Sequence, residues 1–116
     1  MDSIILEDIK KMLGIDSVVN EFDIDILSGI NSSFFTLYQL GIGLKEPIQI
    51  TDITNWSEIE TTAPINVIRD YIYLKVRMTF DPPQTSFVMD AIKNRISELE
   101  FRLNINCDNG GGVIYG

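Results

Sequence analysis

The sequence predicts an all-α fold: a small bundle of four main helices with a long connection between helices 2 and 3 and an extended, flexible C-terminal tail. Three observations carry that prediction. Apolar residues recur at intervals of three and four within separate segments, glycines and prolines punctuate those segments, and a composition of 45% hydrophobic and 22% charged residues is that of a globular domain. At 116 residues the chain is the size of one domain and can bury about two-thirds of its unfolded surface around a single core.

In the first helix, Asp2 or Ser3 can serve as the cap, and Ile5, Ile9 and Met12 form one stripe. Glu7 and Asp8 come early and Lys10 and Lys11 late, which suits the helix dipole, and Gly14 ends the helix. The segment from Asp23 to Leu40 places Ile26 or Leu27, Ile30, Phe34, Leu37 and Tyr38 on one stripe, and Gly41 and Gly43 stop it.

From Gly41 to Thr62 no helical period survives, and Ile48, Ile50 and Ile53 sit among Pro47, Thr51, Asp52 and Thr54 in a short extended segment. Asn55 or Thr54 can cap one turn running through Trp56 and Ile59. Helix connections usually take about 2 to 8 residues, so this longer one needs a packing site of its own, with Trp56 as its anchor.

Pro64 suits the first position of a third helix that runs to Phe80 and is halted by Asp81-Pro82-Pro83. Ile65, Ile68, Ile72 and Val76 line one face of it, and Val67, Tyr71, Leu74 and Met78 line another roughly opposite. Such a helix is either the central one of a bundle or one that shares a face with a neighbouring subunit. After it, Thr85 or Ser86 caps a fourth helix with Val88, Ile92, Ile96, Leu99 and Leu103 on one stripe and Glu98 paired to Arg102, ending near Asn104.

The helical domain therefore occupies residues 1–106, and residues 107–116 form a Gly-rich tail. Gly110 to Gly112 read as a flexible joint, and Val113, Ile114 and Tyr115 as an apolar hook for a neighbouring protein.

Composition also bounds the chemistry. Seventeen acidic residues against nine basic ones give a net charge of -8, which repels phosphate backbones. The chain has no histidine, so imidazole-based nucleophile systems and imidazole metal ligation are excluded. Asp23/Asp25, Glu58/Glu60 and Glu98/Glu100 are spaced two apart, which turns their carboxylates to different faces of a helix. Asp108-Asn109-Gly110 lacks the alternating ligands of a calcium loop, and neither glycine cluster has a phosphate-loop context. No catalytic residue, cofactor or metal site is expected.

Cys107 has no partner for an intrachain disulfide, which fits a reducing compartment. The start Met1-Asp2-Ser3-Ile4 lacks the basic and apolar run of a signal peptide. The uncharged stretch Ile26 to Leu44 carries too many polar side chains for a membrane span. The candidate contact residues are Trp56, Val67, Tyr71, Leu74, Met78, Val113, Ile114 and Tyr115. Arg69 and Arg77, with Tyr73 between them, make a narrow basic strip whose simplest role is solvated surface.

The order of segments resembles the head-to-tail connector (head completion, adaptor) family of long-tailed double-stranded DNA bacteriophages. The likeness lies in Ile-Lys-Lys-Met-Leu-Gly-Ile from Ile9 to Ile15, Phe22-Asp23-Ile24-Asp25-Ile26, Ile30-Asn31-Ser32-Ser33-Phe34, Gln39-Leu40-Gly41, Tyr71-Ile72-Tyr73-Leu74-Lys75-Val76-Arg77, Phe80-Asp81-Pro82-Pro83 and Glu98-Leu99-Glu100-Phe101-Arg102-Leu103-Asn104. It spans residues 4–104 and consists of packing and cap motifs. The resemblance implies a structural virion protein that is assembled in the host cytoplasm and forms a dodecameric ring. That ring sits at the head-tail interface between the portal protein and a downstream stopper, connector or tail protein, and double-stranded DNA passes through it without specific binding. The alternative is a small soluble helical adaptor that binds a host or phage protein through Trp56 and the tail.

Overall fold

The computed structural model describes residues 2–111, with side chains to residue 104. Its first helix, α1, spans Ile5–Met12 and buries Ile5, Leu6 and Ile9, the stripe expected from the spacing. The expected Asp2 or Ser3 cap is absent, because Ile4 occupies the cap position with extended backbone and no side-chain hydrogen bond. Chain pairing replaces it. Ile5 N–H donates to the Thr54 carbonyl at 2.9 Å and Trp56 N–H to the Ser3 carbonyl at 3.0 Å, so an orphan donor of the first turn is satisfied by the connection.

The second helix, α2, spans Asp23–Gln39 and buries Ile26, Ile30, Phe34 and Leu37. Gly41 follows with φ of 72°, a left-handed position that only glycine adopts at little cost. Gly41 N–H donates to the Tyr38 carbonyl at 3.0 Å and Ile42 N–H to the Leu37 carbonyl at 3.0 Å, which satisfies the last carbonyls of the helix. Gly14 and Ile15 close α1 with the same pair of bonds, to Lys11 and Lys10.

The connection forms no strand among the described residues; its order comes from side chains that hold backbone. Asn31 of α2 donates through Nδ2 to the Ile50 carbonyl at 3.3 Å and accepts from Ile50 N–H at 2.7 Å, satisfying both polar groups of one peptide position as a sheet partner would. A single 3₁₀ turn, Trp56–Glu58, follows. Asn55 N–H donates to Glu58 Oε2 at 2.8 Å across it, and Trp56 is 1% exposed. At the base of the connection, Thr62 N–H donates to the Gly43 carbonyl at 3.1 Å.

The third helix, α3, spans Ile65–Phe80, with Pro64 as its cap rather than its first helical residue. Proline's fixed φ fits both positions, and at Pro64 ψ is 126°, so the backbone is still extended there. The fourth, α4, spans Ser86–Gly111, and Thr85 Oγ1 accepts Val88 N–H at 3.3 Å as the expected cap.

The helix therefore passes the Asn104 end expected from the sequence and takes in Gly110 and Gly111. Extending an existing helix costs far less than nucleating one, which lets poor helix formers follow a long run. Val113, Ile114 and Tyr115 lie outside the described residues.

The helix α3 packs on both α2 and α4, while α1 packs on α2. The two apolar faces of α3 are thus largely used inside the chain, as in the bundle reading. Ile68, Tyr71, Ile72 and Val76 share one core with Ile30 and Phe34 of α2 and with Leu99 and Leu103 of α4. Each fully buried side chain of this size contributes about 1.5–3 kcal/mol. Val88, expected on the buried stripe of α4, is 39% exposed at its outer end. No helix among the described residues is long and apolar enough to cross a membrane.

Candidate assembly surfaces

Polar side chains in this fold lock elements together. Asp8 projects from α1 between the connection and α3, where the Arg69 guanidinium donates to both of its oxygens, through Nε to Oδ2 and through Nη2 to Oδ1 at 3.1 Å. Trp56 Nε1–H donates to Oδ2 at 2.9 Å. The Arg69 hydrogen bond holds the Asp8 carboxyl below its ordinary range against the opposing effect of burial, and the same bond raises Arg69.

Tyr71 donates to Glu100 Oε2 at 2.9 Å, joining α3 to α4. Burial, then the Glu100 contact, pushes this phenol well above its ordinary value. Lys10, 1% exposed, lies 2.9 Å from Asp23 Oδ1, and its Nζ donates to the Ser17 carbonyl at 3.3 Å. No donor is aligned along the hydrogen-bonding directions of Asp23 Oδ1, so charge attraction holds that pair.

These locks relocate several residues singled out from the sequence. Trp56 and Tyr71 are interior, so the burial that makes them good anchors removes them from any outer surface. The adaptor alternative, which used Trp56 as its contact, loses that residue. Arg69 is engaged by Asp8 and is not part of a free strip, whereas Arg77 is half-buried with no ion pair among the described residues. Val67, Leu74 and Met78 are half-buried and keep accessible surface on α3. Glu98 pairs with Arg102 at 2.8 Å as expected, and Glu100 faces Tyr71 instead.

What sequence reasoning missed is a cleft of about 1020 Å³ between α2 and α4, floored by α3. Gly29 and Ser32 form one wall, Val76 and Met78 the floor, and Lys93 and Ile96 the other wall. Small residues on α2 make the space, since the Gly29 position meets only Val76, at 3.5 Å from where a Cβ would stand. The signal was present as Gly29 and Ser28, Ser32 and Ser33 clustered on α2, but polar content on a helix reads as solvated surface.

Charge is also segregated. Residues 2–70 carry twelve acidic and four basic side chains, and residues 71–104 carry four acidic and five basic. Lys75 and Lys93 stand at the cleft with one carboxylate, Asp25, so its charged lining has an excess of one positive charge. Glu46, Asp52, Glu58 and Glu60 are exposed on the connection.

The described residues thus form a helical body tied by internal ion pairs and hydrogen bonds, with a cleft between α2 and α4 and a charge divided along the chain. A family model described as phage connector protein matches residues 5–110, and the chain belongs to that family. No curated protein and no solved structure gave a significant match.

Proposed function

We propose that the chain is a head-to-tail connector subunit that assembles as a homo-oligomeric ring, dodecameric by the family resemblance, between the portal protein and a stopper, further connector or tail protein. The observation that carries this reading is the family match, which covers the whole helical body from α1 through nearly all of α4. In this reading Val67, Leu74 and Met78 contribute to contacts between subunits, and Val113, Ile114 and Tyr115 reach an adjoining ring. A net charge of -8 suits a channel through which the genome slides, because exposed carboxylates near the DNA repel phosphates and hold none of them. The ring belongs to the virion and is assembled in the host cytoplasm.

The test is reconstitution with purified portal rings of the same phage, imaged by electron microscopy and sized by sedimentation. The expected result is an added ring of density at the tail-facing end of the portal. A chain that stays monomeric and leaves the portal bare at micromolar concentrations overturns the reading.

A further inference from the structure

The turn at the tip of the connection is built to present two side chains. Thr51 N–H donates to Thr54 Oγ1 at 2.9 Å and Ile53 N–H to Thr51 Oγ1 at 3.4 Å, so the turn is internally braced. At its apex Asp52 is exposed and Ile53 is 70% exposed. An isoleucine held in water on a braced turn is preorganised for contact, because little ordering entropy remains to be lost on binding. The other strongly exposed apolar residues, Val18, Ile24, Phe87 and Phe101, belong to helices that wall the cleft or to the segment leading into α2.

The tip and the cleft lie on opposite flanks of α2. At about 100° per residue, the cleft residue Gly29 projects about a quarter of a turn to one side of the buried stripe and Asn31, which holds the connection, slightly more than a quarter to the other, with Ser32 on the outer face between them. No residue of the connection lines the cleft of its own chain, so the cleft is open to the tip of a second copy.

We propose that the cleft is the socket for the Asp52–Ile53 tip of a neighbouring copy of this chain. Ile53 enters against Val76, Met78 and Ile96, and the Asp52 carboxylate meets Lys75 and Lys93. This inference rests on the ring reading above and gives it a contact. Because socket and tip are different surfaces, the contact is heterologous, the kind that closes into rings when the rotation between copies allows. The acidic connection faces the more basic end of the next copy, so the charge division along the chain orients the subunits.

The experiment pairs cysteines in the full-length chain carrying Cys107→Ser, with helix content checked for each variant. Ile53→Cys and Ser32→Cys in one chain should cross-link under mild oxidation into a ladder of multimers. The two single variants, mixed, should give heterodimers only. Asp52→Lys should raise the concentration for half-assembly about tenfold, and adding Lys93→Asp should recover most of the loss.

Multimers by sedimentation without the 32–53 cross-link overturn the socket and leave the ring standing. A cross-link from position 32 to a cysteine at Ile114 in place of position 53 assigns the cleft to the C-terminal segment and also overturns it. Self-cross-linking of either single variant shows a symmetric contact and does the same. A monomer at every concentration removes the socket and the ring together.

Discussion

Asp8 of α1 and Arg69 of α3, 61 residues apart in the chain, form a two-pronged ion pair whose carboxylate also accepts the Trp56 indole N–H at 2.9 Å. One short acidic side chain thereby ties the first helix, the connection and the third helix. Helix α1 packs mainly on α2, so this node fixes how α1 and the connection sit against α3.

Replacing Asp8 with Asn should cost about 2 kcal/mol, because a partly buried guanidinium loses its counter-charge. The pH dependence has a definite sign. The folded-state pKa of Asp8 lies below the ordinary 3.8, so the pair's contribution is fully present above about pH 4 and is lost as pH falls through the folded value. Urea unfolding of both proteins should show a constant gap at neutral pH that narrows in this acid range. A gap independent of pH down to full protonation would mean that the charge on Asp8 contributes nothing to stability.

Asn31→Ala removes both hydrogen bonds to Ile50 and leaves a buried backbone donor and acceptor unsatisfied. The expected loss is about 1–3 kcal/mol. Hydrogen exchange should localise it, with faster exchange from residues 48–54 than from α3 or α4. Uniform acceleration across the chain would show that the clamp is not local.

The helices were legible because their signals are local. The spacing of Ile26, Ile30, Phe34 and Leu37 and the breakers Gly14, Gly41 and Asp81-Pro82-Pro83 act within a few residues of where they stand. The path of the connection was not legible, since it is fixed by pairs far apart in sequence: Asn31 with Ile50, Ile5 with Thr54, and Asp8 with Trp56. The same residues misled the reading of the surface. Lys10 and Arg69 look like solvated charges until Asp23 and Asp8 are placed beside them, and Trp56 looks like a contact until the connection carries it against Asp8 and Ser3. The cleft depends on the angle between α2 and α4, which no periodicity encodes.

Two glycine substitutions should differ in cost. Gly14 and Gly43 both have positive φ, but a Cβ at Gly14 meets nothing within 4 Å, whereas at Gly43 it would stand 2.9 Å from Ala63 Cβ and 3.1 Å from the Ala63 nitrogen. Gly14→Ala should therefore cost only the left-handed backbone penalty of about 1–2 kcal/mol. Gly43→Ala adds a steric clash at the base of the connection and should cost at least about 1 kcal/mol more. Thermal melts of the two variants give the comparison directly, and equal shifts would show that the chain near Ala63 yields freely.

Trp56→Ala and Leu74→Asp should now fail in different ways. Trp56 is interior, so its truncation should cost about 3–5 kcal/mol of folding stability. Leu74 is half-buried on α3, and a carboxylate there should weaken association while most helix content is retained. Circular dichroism separates folding from assembly and sedimentation reads the assembly. Leu74→Asp protein that associates like the parent would remove this face from the contact.

Deleting residues 108–116 tests the expectation that Val113, Ile114 and Tyr115 contact another protein. Among the described residues the core ends at Leu103, so the deletion removes at most the last turn of α4 and should move the melting temperature by little. Ordering these residues on a partner costs about 1–2 kcal/mol each in backbone entropy, which one short apolar segment barely offsets. Subunits in a ring present many such segments at once, and linkage turns each later contact into an intramolecular one. The truncated protein should therefore fold and form its own oligomers while losing affinity for the portal or the tail-side ring by far more than a single segment's contacts supply. The measurement is the fraction of portal rings carrying connector density at a fixed subunit concentration, parent against truncation. Equal occupancy across a dilution series would show that the C-terminal segment takes no part in joining the rings.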